Sequence, residues 1–289
     1  MKVSTILSFS ALFMASIASA AAPDLANKID TCVKPGVVAL TFDDGPGIYT
    51  EQLLTILDKH KVKATFFVLG IAMASNATFP AVLKKVYDQG HQVASHTFNH
   101  NPLDQMTVDV MKKEITDNSN AIFNAIGVRP LYMRAPQGAC EALCTKTMEE
   151  MNQVVSHWNV DSFDWKNRDL PDPVGLSMTQ FNDFIVKNGN VATDSFITLQ
   201  HDIHQFSVEK LTDQVITAVK AKGFRFVTME ECIGKPAYEG VAMKPTGTDG
   251  AKPTSPSDNK GATPTGGASM TQVGAWAMGI VALASTLVL

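Results

Sequence analysis

The sequence has no basic patch that could bind a nucleic acid. It contains 24 Lys and Arg against 28 Asp and Glu, which gives a formal net charge of −4 at pH 7. Nucleic acids are bound mainly through clustered positive charge, so this balance argues against DNA or RNA as a partner. No internal repeat is visible either, and residues 21–240 have the length of a single domain.

The amino end has few polar residues. Lys2 precedes an apolar run that ends in Ala18-Ser19-Ala20. This pattern predicts a secretory signal peptide over residues 1–20, cleaved after Ala20. A short core helix fits poorly, because no polar positions recur at helical spacing.

The carboxyl end lacks charge as well. Residues 266–289 end in an apolar tail that no basic residue follows, and residues 241–265 form a linker rich in Pro, Ser, Thr and Gly. This combination predicts a GPI-anchor signal, with Gly261 as the attachment site and Asn259 or Gly266 as alternatives. The other interpretation is a transmembrane helix, but the tail is short for a span. The mature protein is therefore expected on the outer face of the plasma membrane or in the cell wall.

Cysteine is scarce, with only four in the chain. An even number in a secreted chain predicts two disulfides. Cys140 and Cys144 could close a small loop, and a bond between Cys32 and Cys232 would tie the domain ends together. The sequon at Asn76 is a candidate glycosylation site.

Apolar runs and helical patterns alternate along the domain. Repeated alternation of this kind predicts an α/β fold with a parallel sheet covered by helices, either open or closed as a barrel. In such folds the chemistry lies at the carboxyl ends of the strands. Strands are predicted at residues 37–40, 64–70, 91–95, 132–133, 154–160, 195–200 and 224–227, and helices at 50–61, 79–89, 106–126, 177–187 and 208–222.

Two adjacent carboxylates, Asp43 and Asp44, end the first predicted strand, where Gly45-Pro46 stops it. Their mutual repulsion and their burial are both costly unless a metal ion or an arginine lies nearby. The alternative is a turn in which both side chains only cap backbone amides.

Two histidines, His96 and His100, follow the third strand. On a helical turn this spacing would place both imidazoles on one face. Together with one carboxylate of Asp43 or Asp44 they would provide three ligands and an open position, the arrangement of a catalytic zinc site. Two surface histidines in a polar loop would have the same spacing.

Three further strand ends carry polar or aromatic side chains. Arg134 could hold a carboxylate, although most arginines simply lie at the surface. Trp158 and Trp165 could stack on sugar rings or belong to the core. His201 could act as a general acid or be structural.

Taken together, these strand ends resemble the five motifs of polysaccharide deacetylases, carbohydrate esterase family 4, also called the NodB homology domain. The motifs are TFDDGP from Thr41, HTFNH from His96, RAPQG from Arg134, DSFDW from Asp161 and LQHD from Leu199. The resemblance covers residues 36–232 and is greatest for fungal chitin deacetylases. It implies a distorted (β/α) barrel, a monomer, and metal-dependent hydrolysis of the N-acetyl groups of chitin to give chitosan and acetate.

The resemblance also assigns the metal and the base, which the spacing alone leaves open. Asp43 would be the catalytic base, held by Arg134. Asp44, His96 and His100 would hold one divalent metal, for which zinc suits the ligands and cobalt could substitute.

The remaining assignments concern proton donation and substrate contacts. His201 would be the general acid, tuned by Asp164 rather than Asp161. The contacts with the substrate would come from Leu199 and Trp165 around the acetyl methyl, from the Gln137 N–H, and from Tyr132. The resemblance agrees with the pairings Cys32–Cys232 and Cys140–Cys144. The third motif departs from the family's usual Arg-Pro-Pro-Tyr-Gly at Ala135 and Gln137, which could alter selectivity or rate.

Three other functions compete with chitin deacetylation. The substrate could be peptidoglycan or acetylated xylan. The chain could be a wall-binding protein without turnover, although no metal ligand or base is missing. Two histidines and a carboxylate would also suit an iron oxygenase, but Arg134 and His201 argue against that reaction.

Overall fold

Strands and helices alternate along residues 29–243, the part of the chain that this computed structural model describes. The predicted signal peptide, the GPI signal, Gly261 and all of the linker after residue 243 lie outside the described residues. No helix within residues 29–243 is both long enough and apolar enough to cross a membrane.

The regular elements follow the predicted order, with several short helices added. The strands are β1 Val37–Ala39, β2 Thr41–Asp43, β3 Thr65–Val68, β4 Gln92–Ser95, β5 Tyr132–Met133, β6 Val154–Val155, β7 Val160–Asp161, β8 Phe196–His201 and β9 Arg225–Val227. The helices are α1 Thr50–Lys59, α2 Gly70–Ser75, α3 Phe79–Asp88, α4 Val108–Ile126, α5 Ala142–Glu150, α6 Asp164–Asn167, α7 Pro173–Phe181, α8 Thr212–Lys222 and α9 Met229–Ile233. Short 3-10 turns lie at Leu103–Gln105 and Pro136–Gly138, and π-helical turns at Asn182–Lys187 and Ser207–Leu211.

Every ladder between these strands is parallel. The order is β6-β5-β4-β3-β2-β8-β1-β9, and β7 pairs with β8. The predicted α/β class with a parallel sheet is therefore confirmed. Among the described residues, no ladder joins the end strands β6 and β9. Ile29, however, forms a bridge with Ser156, next to β6. Cys32 is bonded to Cys232 in α9, the helix that follows β9. The segment before β1 thus connects the two ends of the sheet.

The sheet curves around a shared interior. Along β1, Val38 packs in the outer apolar cluster with the helices, whereas its neighbours Val37 and Ala39 pack in an inner cluster. That inner cluster also contains Val154 from β6 and Val227 from β9, the two end strands. Ser156, next to β6, also contacts the Met229 sulfur, just after β9, at 3.8 Å. The two ends of the strand order therefore approach each other, as expected for a strongly bent sheet or a distorted barrel.

Three local predictions need correction. The strand predicted at 154–160 is two strands, because β6 lies beside β5 whereas β7 lies beside β8. The helices predicted at 177–187 and 208–222 each include a π-helical turn. Thr50 is not the cap of α1: Tyr49 precedes the helix, and the Thr50 hydroxyl instead accepts a hydrogen bond from the Gly47 N–H at 2.8 Å.

Both predicted disulfides, Cys32–Cys232 and Cys140–Cys144, are present, and all four cysteines are paired. Asn76 is half-buried just after α2, where its Oδ1 accepts hydrogen bonds from the Thr78 N–H and hydroxyl, both at 2.9 Å. Its glycosylation stays a prediction.

The long disulfide should stabilise the fold much more than the short one. Cys32 and Cys232 are 200 residues apart in sequence, whereas Cys140 and Cys144 are 4 apart. In the chain-entropy model, loops of these sizes correspond to about 5 and about 2 kcal/mol. The double variants C32A/C232A and C140A/C144A should therefore differ by about 3 kcal/mol in the free energy of unfolding. Denaturant unfolding measures this difference, and equal losses would contradict the expectation.

Candidate active site

The polar strand ends of the sequence meet at the carboxyl edge of the sheet. Asp43 ends β2 and is the direct register partner of His201 at the end of β8. His96 directly follows β4, and Arg134 directly follows β5. Parallel strands bring their carboxyl ends to one edge, so residues far apart in sequence converge there.

Asp43 is held by Arg134. Arg134 is fully buried, and its Nη1 donates to Asp43 Oδ1 at 2.8 Å and to Thr41 Oγ1 at 2.7 Å. The guanidinium lies 4.2 Å from the centre of the Phe67 ring and 5.4 Å from that of Trp158. Burial lowers the pKa of Arg134, while the Asp43 carboxylate opposes that shift. Such a buried, charge-assisted contact fixes the orientation of the Asp43 carboxylate.

The second carboxylate, Asp44, lies between the two histidines. Its Oδ1 is 3.4 Å from His96 Nε2 and 3.3 Å from His100 Nε2, and it is buried without a hydrogen-bond partner. An ion bound tetrahedrally at about 2.0–2.2 Å keeps its ligand atoms about 3.3 Å apart. The three residues thus fit a metal ion, and the orphaned carboxylate oxygen is the atom that such an ion would satisfy.

His96 is set up as a neutral ligand. Its Nδ1 lies 2.9 Å from the carbonyl oxygen of Arg134, which can only accept, so Nδ1 carries the proton and Nε2 presents a lone pair towards Asp44. Burial lowers the pKa of His96, although the nearby carboxylates of Asp43 and Asp44 act to raise it. A ligating histidine usually donates its other ring N–H in this way.

The two histidines are brought together by a loop, not by the helical turn that their spacing predicts. Thr97 and His100 have φ of 72° and 61°, in the left-handed region. Glu114 of α4 holds this loop: its carboxylate accepts from the N–H groups of Phe98 and Asn99 and from Asn99 Nδ2, at 3.1, 2.8 and 2.7 Å.

Replacing Glu114 with glutamine should weaken metal binding. The glutamine NH₂ group would face N–H donors, so the loop that carries His100 would lose part of its support. Changes in groups that orient a ligand typically cost about 10–100-fold in metal affinity. Glu149→Gln, at an exposed position at the end of α5, is the matched control. Equal metal affinity in both variants, measured by chelator competition, would contradict this expectation.

His201 is paired with Asp164. The His201 Nδ1 lies 2.6 Å from Asp164 Oδ1, and the His201 N–H and the Ser207 hydroxyl donate to Oδ2 at 2.8 and 2.7 Å. Burial by itself lowers the pKa of His201, but Asp164, with Asp43 and Asp44, raises it to about 9. Burial would raise the pKa of Asp164, yet His201 and Ser207 lower it. These opposite pKa shifts favour a charged imidazolium beside an ionised carboxylate.

Asp161 is not the partner of His201. Its Oδ1 accepts from the Phe163 N–H at 2.7 Å, and burial raises its pKa. The choice of Asp164 over Asp161 thus agrees with the contacts.

Backbone strain is concentrated at this site. Seven non-glycine residues among those described have positive φ, and five of them lie in the motif segments: Asp44, Thr97, His100, Gln137 and Phe163. Conformations of this kind cost on the order of 1–3 kcal/mol each and persist only where the surroundings impose them. The sequence carries no signal for them, because none of these residues is glycine.

The predicted substrate contacts differ in accessibility. Gln137 is exposed, and the Trp165 side chain is 48% exposed. Leu199 is buried in β8, with 4% of its surface exposed. Tyr132 is fully buried in the inner cluster, and its hydroxyl donates to the Lys235 carbonyl at 2.9 Å. The expectation that Tyr132 contacts substrate therefore needs correction, since solvent does not reach it.

Sequence reasoning gave no role to Asp202, the last residue of the LQHD motif, which is a buried carboxylate beside the first motif. The Thr50 hydroxyl donates to Asp202 Oδ2 at 2.5 Å, and burial raises the pKa of Asp202 to about 7. A Cβ atom on Gly45 would collide with this carboxylate. The first motif thus requires glycine at position 45, because the Asp202 carboxylate lies too close to leave room for a side chain. Only the tertiary structure shows this reason.

The chain is similar to deacetylases in both sequence and structure. A family model described as "Polysaccharide deacetylase" matches residues 30–155. The chitin deacetylase of Colletotrichum lindemuthianum is 36% identical over 208 residues, 70% of this chain and 82% of its own. An Arthroderma benhamiae protein described as "Probable peptidoglycan-N-acetylglucosamine deacetylase" is 36% identical over 231 residues, 78% of this chain and 51% of its own.

The solved structure of the Colletotrichum enzyme superimposes with a TM-score of 0.71 at 34% identity, over 75% of this chain and 97% of that one. In the sequence comparisons, this chain covers about half of the length of the Arthroderma protein but most of the length of the Colletotrichum enzyme.

Proposed function

The chain belongs to the polysaccharide deacetylase family, and from this we propose that it removes N-acetyl groups from the N-acetylglucosamine units of chitin, giving chitosan and acetate. One arrangement supports the reaction: Asp43, held by Arg134, lies beside the Asp44, His96 and His100 group and opposite the His201–Asp164 pair. The similarity to a chitin deacetylase over most of that enzyme's length supports the substrate.

Asp44, His96 and His100 would hold one divalent ion. We propose zinc, with cobalt as a possible substitute, because imidazole and carboxylate ligands suit both. When bound there, such an ion would polarise the acetamide carbonyl and lower the pKa of a water molecule.

The side chains around that position would carry out the proton transfers. Asp43 would take the proton of the attacking water, with Arg134 fixing the carboxylate that receives it. His201, protonated through its contact with Asp164, would give a proton to the leaving sugar amine, which is too basic to depart otherwise.

Three residues would bind the acetyl group. The Gln137 N–H would donate to the oxygen that gains negative charge. Leu199 and Trp165 would enclose the methyl group, and the exposed Trp165 ring could also stack on a sugar.

The composition of the two terminal segments supports a proposal for the location. We propose that the domain is secreted, acts as a monomer and is attached by a GPI lipid at Gly261. The two disulfides agree with folding in an oxidising compartment.

Acetate release from three polymers, assayed side by side, tests the substrate. Chitin oligomers should be deacetylated, and peptidoglycan fragments and acetylated xylan much less so. Acetate from peptidoglycan or xylan alone would keep the reaction and overturn the substrate. No release from any of them, with metal bound, would favour a wall-binding protein.

A further inference from the structure

A second group of one aspartate and two histidines lies next to the first. Asp164, His201 and His204 each offer one possible ligand atom, and these three atoms lie within 4.8 Å of one another. Asp164 and His201 are buried, whereas His204 is half-buried and follows the end of β8 by three residues. The proposed reaction uses only the first two of these residues and leaves His204 unassigned.

The chain after β8 turns back so that His204 faces His201. The His204 N–H donates to the His201 carbonyl at 3.5 Å, and the two ring centres are 5.6 Å apart. His204 also stacks on Phe206, with ring centres 6.5 Å apart and planes 14° apart. The contact with Phe206 thus helps to hold the His204 ring next to the His201–Asp164 pair.

The ligand types suit a borderline-soft transition-metal ion. Imidazole and carboxylate bind zinc at about 2.0–2.2 Å, which keeps ligand atoms about 3.3 Å apart in a tetrahedral site. The candidate ligand atoms lie within 4.8 Å of one another, and His201 Nδ1 is 2.6 Å from Asp164 Oδ1, so side-chain rotations must widen that contact when an ion binds. Copper should bind such a nitrogen-rich site more tightly than zinc, and zinc more tightly than magnesium or calcium.

We propose that Asp164, His201 and His204 form a second site for zinc or copper, and that an ion bound there inhibits turnover. The inhibitory part rests on the proposed function, in which His201 gives a proton to the leaving amine. Binding forms a bond from the ion to a ring nitrogen of His201 and releases that nitrogen's proton to solvent, with no change of oxidation state. A ring that holds the ion is no longer an imidazolium, and its remaining N–H is a much weaker acid than the protonated His201 that the reaction uses.

The second site is weaker than the first for a structural reason. The Asp164 carboxylate already accepts hydrogen bonds from Trp165 N–H, Ser207 Oγ and the His201 N–H, at 2.8, 2.7 and 2.8 Å, besides its contact with the His201 ring. An ion must displace part of this set, whereas Asp44 Oδ1 has no hydrogen bond to lose. Activity should therefore rise as the first site fills and fall at higher zinc concentration.

The test compares His204→Gln with His60→Gln, a histidine that pairs with Asp213. Zinc binding is measured by calorimetry on the full secreted protein without substrate, and acetate release is measured over the same zinc range. Wild type and His60→Gln should bind two ions and be inhibited by excess zinc. His204→Gln should bind one ion and need at least tenfold more zinc for inhibition, and His204→Asn should behave likewise.

Other results would overturn the second site or the proposed function separately. Inhibition at the same zinc concentration in His204→Gln and wild type, or a single bound ion at the inhibitory concentration, would remove the second site. Two bound ions of which one depends on His204, with no acetate from any polymer, would establish the second metal site and overturn the proposed function.

Discussion

Replacing Asp43 with asparagine should abolish most acetate release while leaving the metal bound. Asparagine keeps an oxygen that can accept from Arg134, so the buried guanidinium retains a partner. It cannot accept a proton from water at neutral pH. General-base catalysis contributes roughly 10²–10⁴-fold in rate, and a loss of that size is expected in kcat.

Asp213→Asn is the matched control for that variant, because the Asp213 carboxylate also contacts side-chain nitrogens, those of Lys59 and His60, but belongs to none of the five motifs. It should keep near-wild-type turnover. Thermal unfolding of both variants separates a catalytic loss from a folding loss. Substantial residual activity in a folded Asp43→Asn protein would remove Asp43 from the role of base.

Replacing the Asp44 side chain or the His96 ring should remove the metal itself. Asp44→Asn weakens the anionic ligand whose Oδ1 faces both histidines, and His96→Ala removes a buried nitrogen that the Arg134 carbonyl orients. With two ligands left, a tetrahedral ion has no stable site. Metal content should fall far below that of wild type, and activity should fall with it.

His60→Gln serves as the control for this pair, since it removes an imidazole that belongs to none of the five motifs and contacts Asp213. Metal content is measured on purified protein by elemental analysis, independently of turnover. Metal at the wild-type level in either Asp44→Asn or His96→Ala would contradict the ligand assignment.

The order of elements could be predicted from the sequence because it depends on local pattern. The alternation of apolar runs and helical periodicity indicates a parallel sheet, and Gly127 marks the end of α4, where it adopts the left-handed conformation with φ of 78°. The two-residue strand β5 lies where it was predicted. These features follow from side-chain periodicity and cap chemistry, which each segment carries by itself.

The details of the site depend on tertiary contacts, and no local pattern reports them. Glu114 is an ordinary polar residue in a helical pattern, yet its carboxylate organises the loop of His100. The His-x-x-x-His spacing indicates a helical turn, but the backbone at Thr97 adopts a left-handed conformation. The positions of the motif residues at predicted strand ends indicated that these residues meet, whereas the structure shows how their side chains are oriented.

The strand predicted at 154–160 is a second case in which the local pattern does not report a tertiary contact. One strand is predicted there, but the chain leaves the edge of the sheet after Val155 and returns at Val160 beside β8. Ser156 and the carbonyl of His157 use that gap to bind Arg134 Nη2, at 3.4 and 3.0 Å. The break therefore serves the arginine that holds Asp43.

The most direct test measures acetate release from N-acetylglucosamine oligomers with the secreted protein as purified, after chelation and after zinc is added back. Metal-dependent deacetylation requires release that stops with the chelator and returns with zinc. Release that continues at the same rate in the chelated protein, with metal shown to be absent, would contradict the proposed mechanism.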